Sequence, residues 1–238
     1  GGNDNNSGNG SIDNPYNRFE DAVAKVDDGG TIYIKTDGQG GFLNDVGENK
    51  PFLIDKNITI KAIEGEGNAE LSVRSAGIIL GADVKFENIT LNFTNKHHDA
   101  IFANGHTLEL INVSRYGGAR EIDLFAGGLY ELNGTQVHPS GTNGVITIET
   151  NENFGGGDLE SDFGNIYAGS MNGSFNGDAE INLSRKDNSK KLKVRGIKAS
   201  GALEADAGNM LDTTEPLPPF ASPEAYPMSG NVEINLDN

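Results

Sequence analysis

The stretch Lys56-Asn57-Ile58-Thr59-Ile60 decides the fold prediction, because similar stretches recur along the chain. Glu87-Asn88-Ile89-Thr90-Leu91 places its asparagine 31 residues later, and Ile111-Asn112-Val113-Ser114 places its own after a further 24. Repeats of roughly 20 to 50 residues built from short strands indicate a solenoid or a propeller. The unequal spacing favours a solenoid, because single coils can carry loops of different length without disturbing their neighbours.

A second repeat lies in the C-terminal half. Gly177-Asp178-Ala179-Glu180-Ile181-Asn182-Leu183 recurs as Gly230-Asn231-Val232-Glu233-Ile234-Asn235-Leu236, and Gly144-Val145-Ile146-Thr147-Ile148-Glu149 is a looser relative. Each copy alternates apolar with polar residues, which is typical of strands with one buried face. These segments are expected to stack as strands of the same solenoid.

The repeats also predict which side chains share the core and which form the corners. Five apolar residues should stack coil on coil in one core: Ile58, Ile60, Ile89, Leu91 and Val113. Asn57, Asn88 and Asn112 should lie in register at one corner, since asparagine tolerates the left-handed conformation and its amide can bond the amide of the next coil. The alternative is that asparagine is simply common in the turns of this chain.

One amphipathic helix precedes the strands. Asn14 can cap it and Pro15 suits the first helical position. Phe19, Ala22, Val23 and Val26 then form one apolar face, and Gly29-Gly30 follows the helix. We predict that the helix covers the N-terminal end of the solenoid, where apolar surface and strand edges would otherwise be exposed.

The order of helix, Gly29-Gly30, Thr31-Ile32-Tyr33-Ile34 and the repeat at Lys56 to Ile60 resembles the N-terminal region of the pectate-lyase-like right-handed β-helix superfamily. The likeness runs, with gaps, over roughly the first 135 residues. It implies an all-β, right-handed parallel β-helix with an N-terminal capping helix. The segments Phe163 to Ser170 and Gly177 to Leu183 are similar to the glycine-rich repeats of large bacterial surface adhesins.

We divide the chain into a flexible linker at residues 1–13 and a single β-helix domain at 14–238. The domain should contain the capping helix at 14–29, coils at 30–211, a proline-rich loop at 212–227 and a final strand at 228–238. The proline-rich loop should be extended. It is either a recognition loop or a cover for the C-terminal end of the coils.

Composition limits the partners of the chain. Lysine plus arginine is 18 and aspartate plus glutamate is 35, so the formal charge is −17. Such a surface repels nucleic acid and anionic lipid, and it repels polyuronates unless a cation bridges them. No apolar run approaches the roughly 18 residues of a membrane span, so membrane insertion is not expected. We expect a monomeric protein that is secreted or at the cell surface of a bacterium and takes a host or microbial glycan or a protein ligand.

Enzymes of the resembling superfamily cleave acidic polysaccharides. Their lyases use acidic residues to hold Ca²⁺ and a lysine or arginine as base, and their hydrolases use clustered aspartates near a Gly-His-Gly segment. This chain contains no Gly-His-Gly, and no motif residue of either enzyme type can be transferred to it. We therefore assign no catalytic residue and no required cofactor, and consider an enzyme the less favoured reading.

Several residues are candidates for binding. His97, His98 and Asp99 could act as base or metal ligands, although they fall where a polar turn is expected. Arg115 follows a repeat asparagine and could line a coil face as a base or substrate clamp, or be a solvated strand residue. Tyr116, Tyr130 and Tyr167 could stack on sugar rings, or pack in the core or against glycines. Asp158, Glu160 and Asp162 alternate, so an extended segment would direct three carboxylates to one side, as a Ca²⁺ site requires. Otherwise they are solvated acids on an acidic protein.

The sequence favours one function, that of a non-catalytic, adhesin-like or glycan- or ligand-binding β-helix module of a bacterial surface protein. The alternatives are a polysaccharide lyase or glycoside hydrolase of the pectate-lyase-like fold, and a structural spacer. An enzyme should show convergent charged residues in a groove. A binding module should show an extended face without strongly perturbed pKa values, and a spacer should show neither.

Overall fold

A computed structural model gives the structure of the chain, and it describes residues 8–35, 41–43, 51–64, 69–73, 75, 77–93, 99–115, 121–129, 141–151, 160–187, 190–201 and 228–237. The described chain is mostly β with one short helix, α1, at Phe19–Lys25. The strands are β1 (Thr31–Ile34), β2 (Gly41–Leu43), β3 (Phe52–Ile54), β4 (Ile58–Ala62), β5 (Ala69–Val73), β6 (Ile78–Leu80), β7 (Val84–Glu87), β8 (Ile89–Phe93), β9 (Ala100–Phe102), β10 (Thr107–Ile111), β11 (Ser114–Arg115), β12 (Asp123–Phe125), β13 (Asn143–Thr150), β14 (Glu160–Tyr167), β15 (Asp178–Arg185), β16 (Lys191–Lys198) and β17 (Val232–Asp237).

The strands form three sheets in which every pairing is parallel. A seven-stranded sheet has the order β1-β4-β7-β10-β13-β15-β17, a four-stranded sheet β11-β8-β5-β2, and a six-stranded sheet β16-β14-β12-β9-β6-β3. From β1 to β12 the chain visits the three sheets in strict rotation, and from β13 onward its named strands alternate between the seven-stranded and six-stranded sheets. Strands adjacent in a sheet are therefore distant in sequence, as the repeat analysis predicted.

Apolar side chains that alternate along the strands fill the space between the sheets. Ile58, Ile60, Ile89, Leu91 and Val113 are all buried in one continuous core, which confirms that they share a core. The predicted stacking of all five is wrong, because Ile58 and Ile60 lie in the seven-stranded sheet and Ile89 and Leu91 in the four-stranded sheet. Period-2 alternation explains this arrangement, because every second side chain of a strand points to the same face.

The C-terminal repeat is also confirmed in register. Strand β15 pairs with β17 so that Ile181 lies beside Ile234 and Asn182 beside Asn235. The looser copy in β13 joins the same sheet, with Ile146 beside Ile181. The Asn235 amide donates to the Asn182 side-chain oxygen at 2.9 Å, so these asparagines form a ladder on the outer face of the sheet.

The corner ladder forms from different asparagines than predicted. Asn88 and Asn112 are in register, both at positive φ, and the Asn112 amide donates to Asn88 at 2.9 Å and to Asn151 at 2.7 Å. The prediction for Asn57 is wrong, because Asn57 precedes β4 of the seven-stranded sheet while Asn88 precedes β8 of the four-stranded sheet. Asn57 belongs to another corner, where it donates to Asp28 and accepts the Asp83 N–H.

The helix packs as predicted but begins later. Phe19 and Val23 are buried in the core and Ala22 and Val26 pack against it. It begins at Phe19 instead of near Pro15, because Asn14 forms a turn with Ser11 and accepts the Asn9 N–H at 3.0 Å. This turn lies partly in the segment predicted to be a linker. The Lys56 ammonium donates to the carbonyls of Val23, Ala24 and Val26, which are at the negative end of the helix dipole.

A second hydrophobic cluster lies on the opposite face of the six-stranded sheet. Phe102, Phe125 and Tyr167 occupy neighbouring positions on β9, β12 and β14, with ring centroids 4.9 Å and 4.6 Å apart. Leu129 and Met171, from the segments that follow β12 and β14, belong to the same cluster. Tyr167 is therefore a packing residue and not an exposed platform for a sugar.

Candidate functional site

The outer face of the seven-stranded sheet carries an exposed tyrosine beside a polar surface. Alternation in β1 buries Ile32 and Ile34 and directs Tyr33 outward, where it is 57% exposed. Tyr33 lies beside Lys61 of β4, whose ammonium is 5.4 Å from the centre of the ring. Among the described residues, Tyr33 is the aromatic side chain with a large exposed ring surface.

A shallow groove of about 300 Å³ runs across this sheet, and Tyr33, which does not line it, pairs with Lys61, two residues after the lining residue Thr59. Its lining residues lie in or just before four neighbouring strands, β1, β4, β7 and β10, and are mainly polar: Gly29, Asn57, Ile58, Thr59, Asp83, Val84, Lys85, Thr107 and Glu109. The strand register places Thr59, Lys85 and Glu109 side by side. A ligand in the groove would therefore contact a row of side chains about 4.8 Å apart, the usual distance between neighbouring strands.

Hydrogen bonds between coils hold one wall of the groove. The Asn57 N–H and side-chain amide both donate to Asp28, at 2.8 and 2.9 Å. The Asp83 N–H donates to the Asn57 side chain at 3.1 Å, and the Thr107 N–H donates to the Asp83 carboxylate at 2.8 Å. The segments that precede neighbouring strands are thus bonded to one another, so the groove is formed without a ligand.

Acidic residues outnumber lysines around the groove, and part of this charge is paired. Lys85 pairs with Glu87 at 3.0 Å, and Lys61 lies beside Glu87 in the strand register. Burial lowers the pKa of His106, at the start of β10, while Asp83 acts in the opposite sense. The histidine therefore adds no positive charge at neutral pH. The groove offers hydroxyl, amide, ammonium and carboxylate groups, a mixture that suits a hydroxyl-rich ligand.

The structure brings together two residues that the sequence assigned to different sites. Arg115 of β11, a ligand-binding candidate, donates to Asp162 of β14, a Ca²⁺ candidate, at 2.8 Å. Both side chains are partly exposed. The Asp162 carboxylate is therefore neutralised by a guanidinium in this structure, which competes with a role in Ca²⁺ binding.

The other sequence candidates lie apart from this ion pair or outside the described residues. Asp99 is buried, and its carbonyl accepts the Asp123 N–H at 2.9 Å. His97, His98, Tyr116, Tyr130 and Asp158 lie outside the described residues, as do the Glu160 side chain and the proline-rich segment 212–227. Within the described ranges, no group of three or more acidic or histidine side chains is arranged to hold a metal ion. No described helix has the length and apolar character needed to cross a membrane.

Asp123 is a buried carboxyl group that sequence analysis missed. It is 7% exposed and accepts the Asn165 N–H at 2.6 Å. Burial raises its pKa to about 6, the Asn165 hydrogen bond and nearby Arg195 oppose this rise, and Glu121 adds to it. Arg195 itself pairs with Glu121 at 2.7 Å. A carboxyl group that titrates near pH 6 can exchange protons under mild conditions, although little of Asp123 is accessible.

Asp123→Asn is expected to change how stability depends on pH. The folded-state pKa lies above the ordinary 3.8, so the folded protein holds this proton more tightly than the unfolded chain. The proton on Asp123 therefore stabilises the fold fully below about pH 4. This stabilisation, about 2–3 kcal/mol, is lost as the pH rises through about 6. Asparagine keeps an oxygen for the Asn165 N–H and has no charge to desolvate, so the variant should be more stable at neutral pH. Urea unfolding of both proteins from about pH 4 to 7 measures the difference.

Asp13→Asn is the matched control, because Asp13 is exposed. It should leave the wild-type pH profile unchanged. Parallel pH profiles for wild type and Asp123→Asn would contradict the buried, proton-binding role of Asp123.

Sequence analysis did not select Tyr33 or the groove residues. Alternation in Thr31-Ile32-Tyr33-Ile34 was a usable signal for Tyr33, since it places the ring on the face opposite to Ile32 and Ile34. The groove had no local signal, because its residues come from separate coils. No protein-family model, curated protein or solved structure matches this chain.

Proposed function

We propose that this chain is a right-handed parallel β-helix, resembling the pectate-lyase-like superfamily, and that it acts as a non-catalytic glycan-binding module of a secreted or surface protein of a bacterium. Three parallel sheets visited in rotation by the first twelve strands support the solenoid. The helix, whose Phe19 ring packs against Phe52 of β3 in the core that also contains Ile32 and Ile34 of β1, supports the N-terminal cap. The acidic surface and the absence of cysteine fit an exported bacterial protein.

The observation that carries the binding role is the exposed Tyr33 ring on the same face as the polar groove. Aromatic rings pack against the apolar faces of sugar rings, while hydroxyl and amide groups bond their edges. Tyr33 provides the aromatic ring, and Asn57, Thr59 and Thr107 provide the amide and hydroxyl groups. Binding would place the ligand across the strands, along the stacking direction of the coils.

A neutral glycan suits this groove better than an anionic one. Asp83, Glu87 and Glu109 lie in or beside it and outnumber Lys61 and Lys85. The whole chain adds a net charge of −17, which opposes polyuronates and sulfated glycans at low ionic strength. We therefore expect binding of uncharged polysaccharides and weak or no binding of polygalacturonate and alginate.

A polysaccharide-cleaving enzyme is the second candidate, because Asp123 has a raised pKa and lies near Arg195. A general base works best when its pKa is near the operating pH. Against this role, Asp123 is almost fully buried and already accepts a backbone hydrogen bond. Arg115 and Arg195, which could act as base or clamp, are each paired with a carboxylate.

Retention on a panel of immobilised glycans, with and without Ca²⁺, tests the proposal, and ultraviolet detection of unsaturated products tests for lyase activity in the same samples. We expect retention by at least one neutral glycan, no cleavage of any glycan, and no need for Ca²⁺. Tyr33→Ala should weaken that retention by about tenfold, the loss expected for one stacking contact of about 1.4 kcal/mol.

Leu53→Ala is the control, because Leu53 is also exposed but lies on the six-stranded sheet, away from the groove. It should bind like the wild type. Equal loss in both variants, or binding that is insensitive to Tyr33→Ala, would exclude the groove. Sustained product formation that Asp123→Asn abolishes would favour the enzyme instead.

A further inference from the structure

The two ends of the sheet stack differ in how they are covered. At the β1 end, Ile32 and Ile34 are buried, with Phe19 and Val23 of α1 in the same core. At the other end, β16 is the last strand of the six-stranded sheet and β17 is the last strand of the seven-stranded sheet. We call this the β16–β17 end. Within the described ranges, each of these two strands is paired along one edge only.

The β16–β17 end exposes side chains of the core face. Ile234 and Leu236 lie in register with the buried Ile181 and Leu183 of β15, yet they are 44% and 72% exposed. Leu192, Val194 and Ile197 of β16 are only partly buried. An unpaired edge with exposed apolar side chains is a ready site for pairing with another strand.

The two edge strands carry opposite charge. Strand β16 bears four cationic residues, at Lys191, Lys193, Arg195 and Lys198, in a protein with an excess of acidic residues. Strand β17 bears carboxylates at Glu233 and Asp237 and no cationic residue, although Asp237 pairs with Lys186, which follows β15. The sheet already pairs β16 with acidic positions on its other edge, where Lys191 lies beside Glu160 and Lys193 beside Asp162.

We propose that the β16–β17 end joins two copies of this chain end to end, with β16 of each copy beside β17 of the other. In a dimer with a two-fold axis this contact occurs twice, and in both places the cationic β16 lies beside the acidic β17. Pairing β16 with β16 would set cations against cations, and pairing β17 with β17 would set carboxylates against carboxylates. The β16-with-β17 arrangement avoids both repulsions and buries Ile234 and Leu236. It replaces the monomer expected from the sequence.

Sedimentation equilibrium of the full chain over a concentration series tests the proposal. We expect a reversible dimer of twice 25.2 kDa. Leu236→Asp should raise its dissociation constant by at least about tenfold, because it places a charge on the apolar side of the contact. Leu53→Asp, at a residue 52% exposed on β3, should leave the dissociation constant unchanged. Thermal unfolding of both variants checks that each remains folded.

The salt dependence of dimerisation distinguishes pairing of β16 with β17 from pairing of β16 with β16 or of β17 with β17. Attraction between β16 and β17 is screened by salt, so the dimer should weaken as the salt concentration rises. A dimer that strengthens with salt would overturn the proposed pairing. A monomer at all concentrations, or a dimer that Leu236→Asp leaves intact, would overturn the interface itself. Slow hydrogen exchange of the β17 amides in such a monomer would show that the end is covered within one chain.

Discussion

Ile89→Asp is expected to lower the free energy of unfolding by about 4 kcal/mol or more, because it places an unpaired carboxylate in the core. Ile89 is fully buried in β8, between Ala69 of β5 and the β11 strand of the four-stranded sheet. A loss of that size approaches the whole stability of a typical domain, roughly 5–15 kcal/mol. Urea unfolding followed by circular dichroism measures it.

Leu53→Asp is the matched control, since it makes the same chemical change at a largely exposed strand position. Its cost should stay below about 1 kcal/mol, as for most surface substitutions. Similar costs at the two positions would mean that the space between the sheets is not a packed core. That result would also remove the main support for the proposed solenoid.

The core and the C-terminal repeat could be predicted because strand alternation is a local property. Ile58 and Ile60, or Ile181 and Leu183, show their common face within a few residues of sequence. The parallel pairing followed from the repeats, since stacking equivalent segments puts them side by side in the same direction. Only the second step needed a comparison of distant segments of the chain.

The position of Asn57 could not be predicted, because corners of different sheets have the same local sequence pattern. Asn57-Ile58-Thr59-Ile60 and Asn88-Ile89-Thr90-Leu91 are alike, yet the first leads into the seven-stranded sheet and the second into the four-stranded sheet. The residue in register with Ile58 is Val84, which follows an aspartate. A carboxylate accepts the same backbone hydrogen bond as an asparagine oxygen, so the corner tolerates both residues.

The candidate site could not be predicted from local sequence patterns, for a similar reason. The groove joins positions that are 26 or 24 residues apart, and the Arg115–Asp162 pair spans 47 residues. Predicting either requires the register of successive coils, which depends on the lengths of the loops between them. The outward orientation of Tyr33 could be predicted from the alternation in its own strand. A single outward tyrosine does not identify a binding site, however, unless the groove on the same face is also known.

Phe125→Ala is expected to lower the free energy of unfolding by about 3–5 kcal/mol, although Phe125 lies outside the main core. The ring is fully buried and stacks on Phe102 at 4.9 Å and on Tyr167 at 4.6 Å, with an angle of only 8° to the tyrosine. Removing it leaves a cavity between two rings and ends both stacking contacts at once. Phe125→Leu retains most of the volume and should cost clearly less.

The region in which hydrogen exchange accelerates shows whether this cluster is stabilised separately from the main core between the sheets. Leu129 and Met171 pack in the same cluster, and the Met171 N–H donates to the Gly128 carbonyl at 2.9 Å. In Phe125→Ala, hydrogen exchange at Met171 should therefore accelerate before exchange at Ile60, whose side chain lies in the main core. A uniform acceleration at both amides would indicate one cooperative core. A cost below about 1 kcal/mol would mean that the aromatic stack contributes little to the fold. The expected result makes the outer cluster a second stabilising layer, which holds the segments after β12 and β14 against the six-stranded sheet.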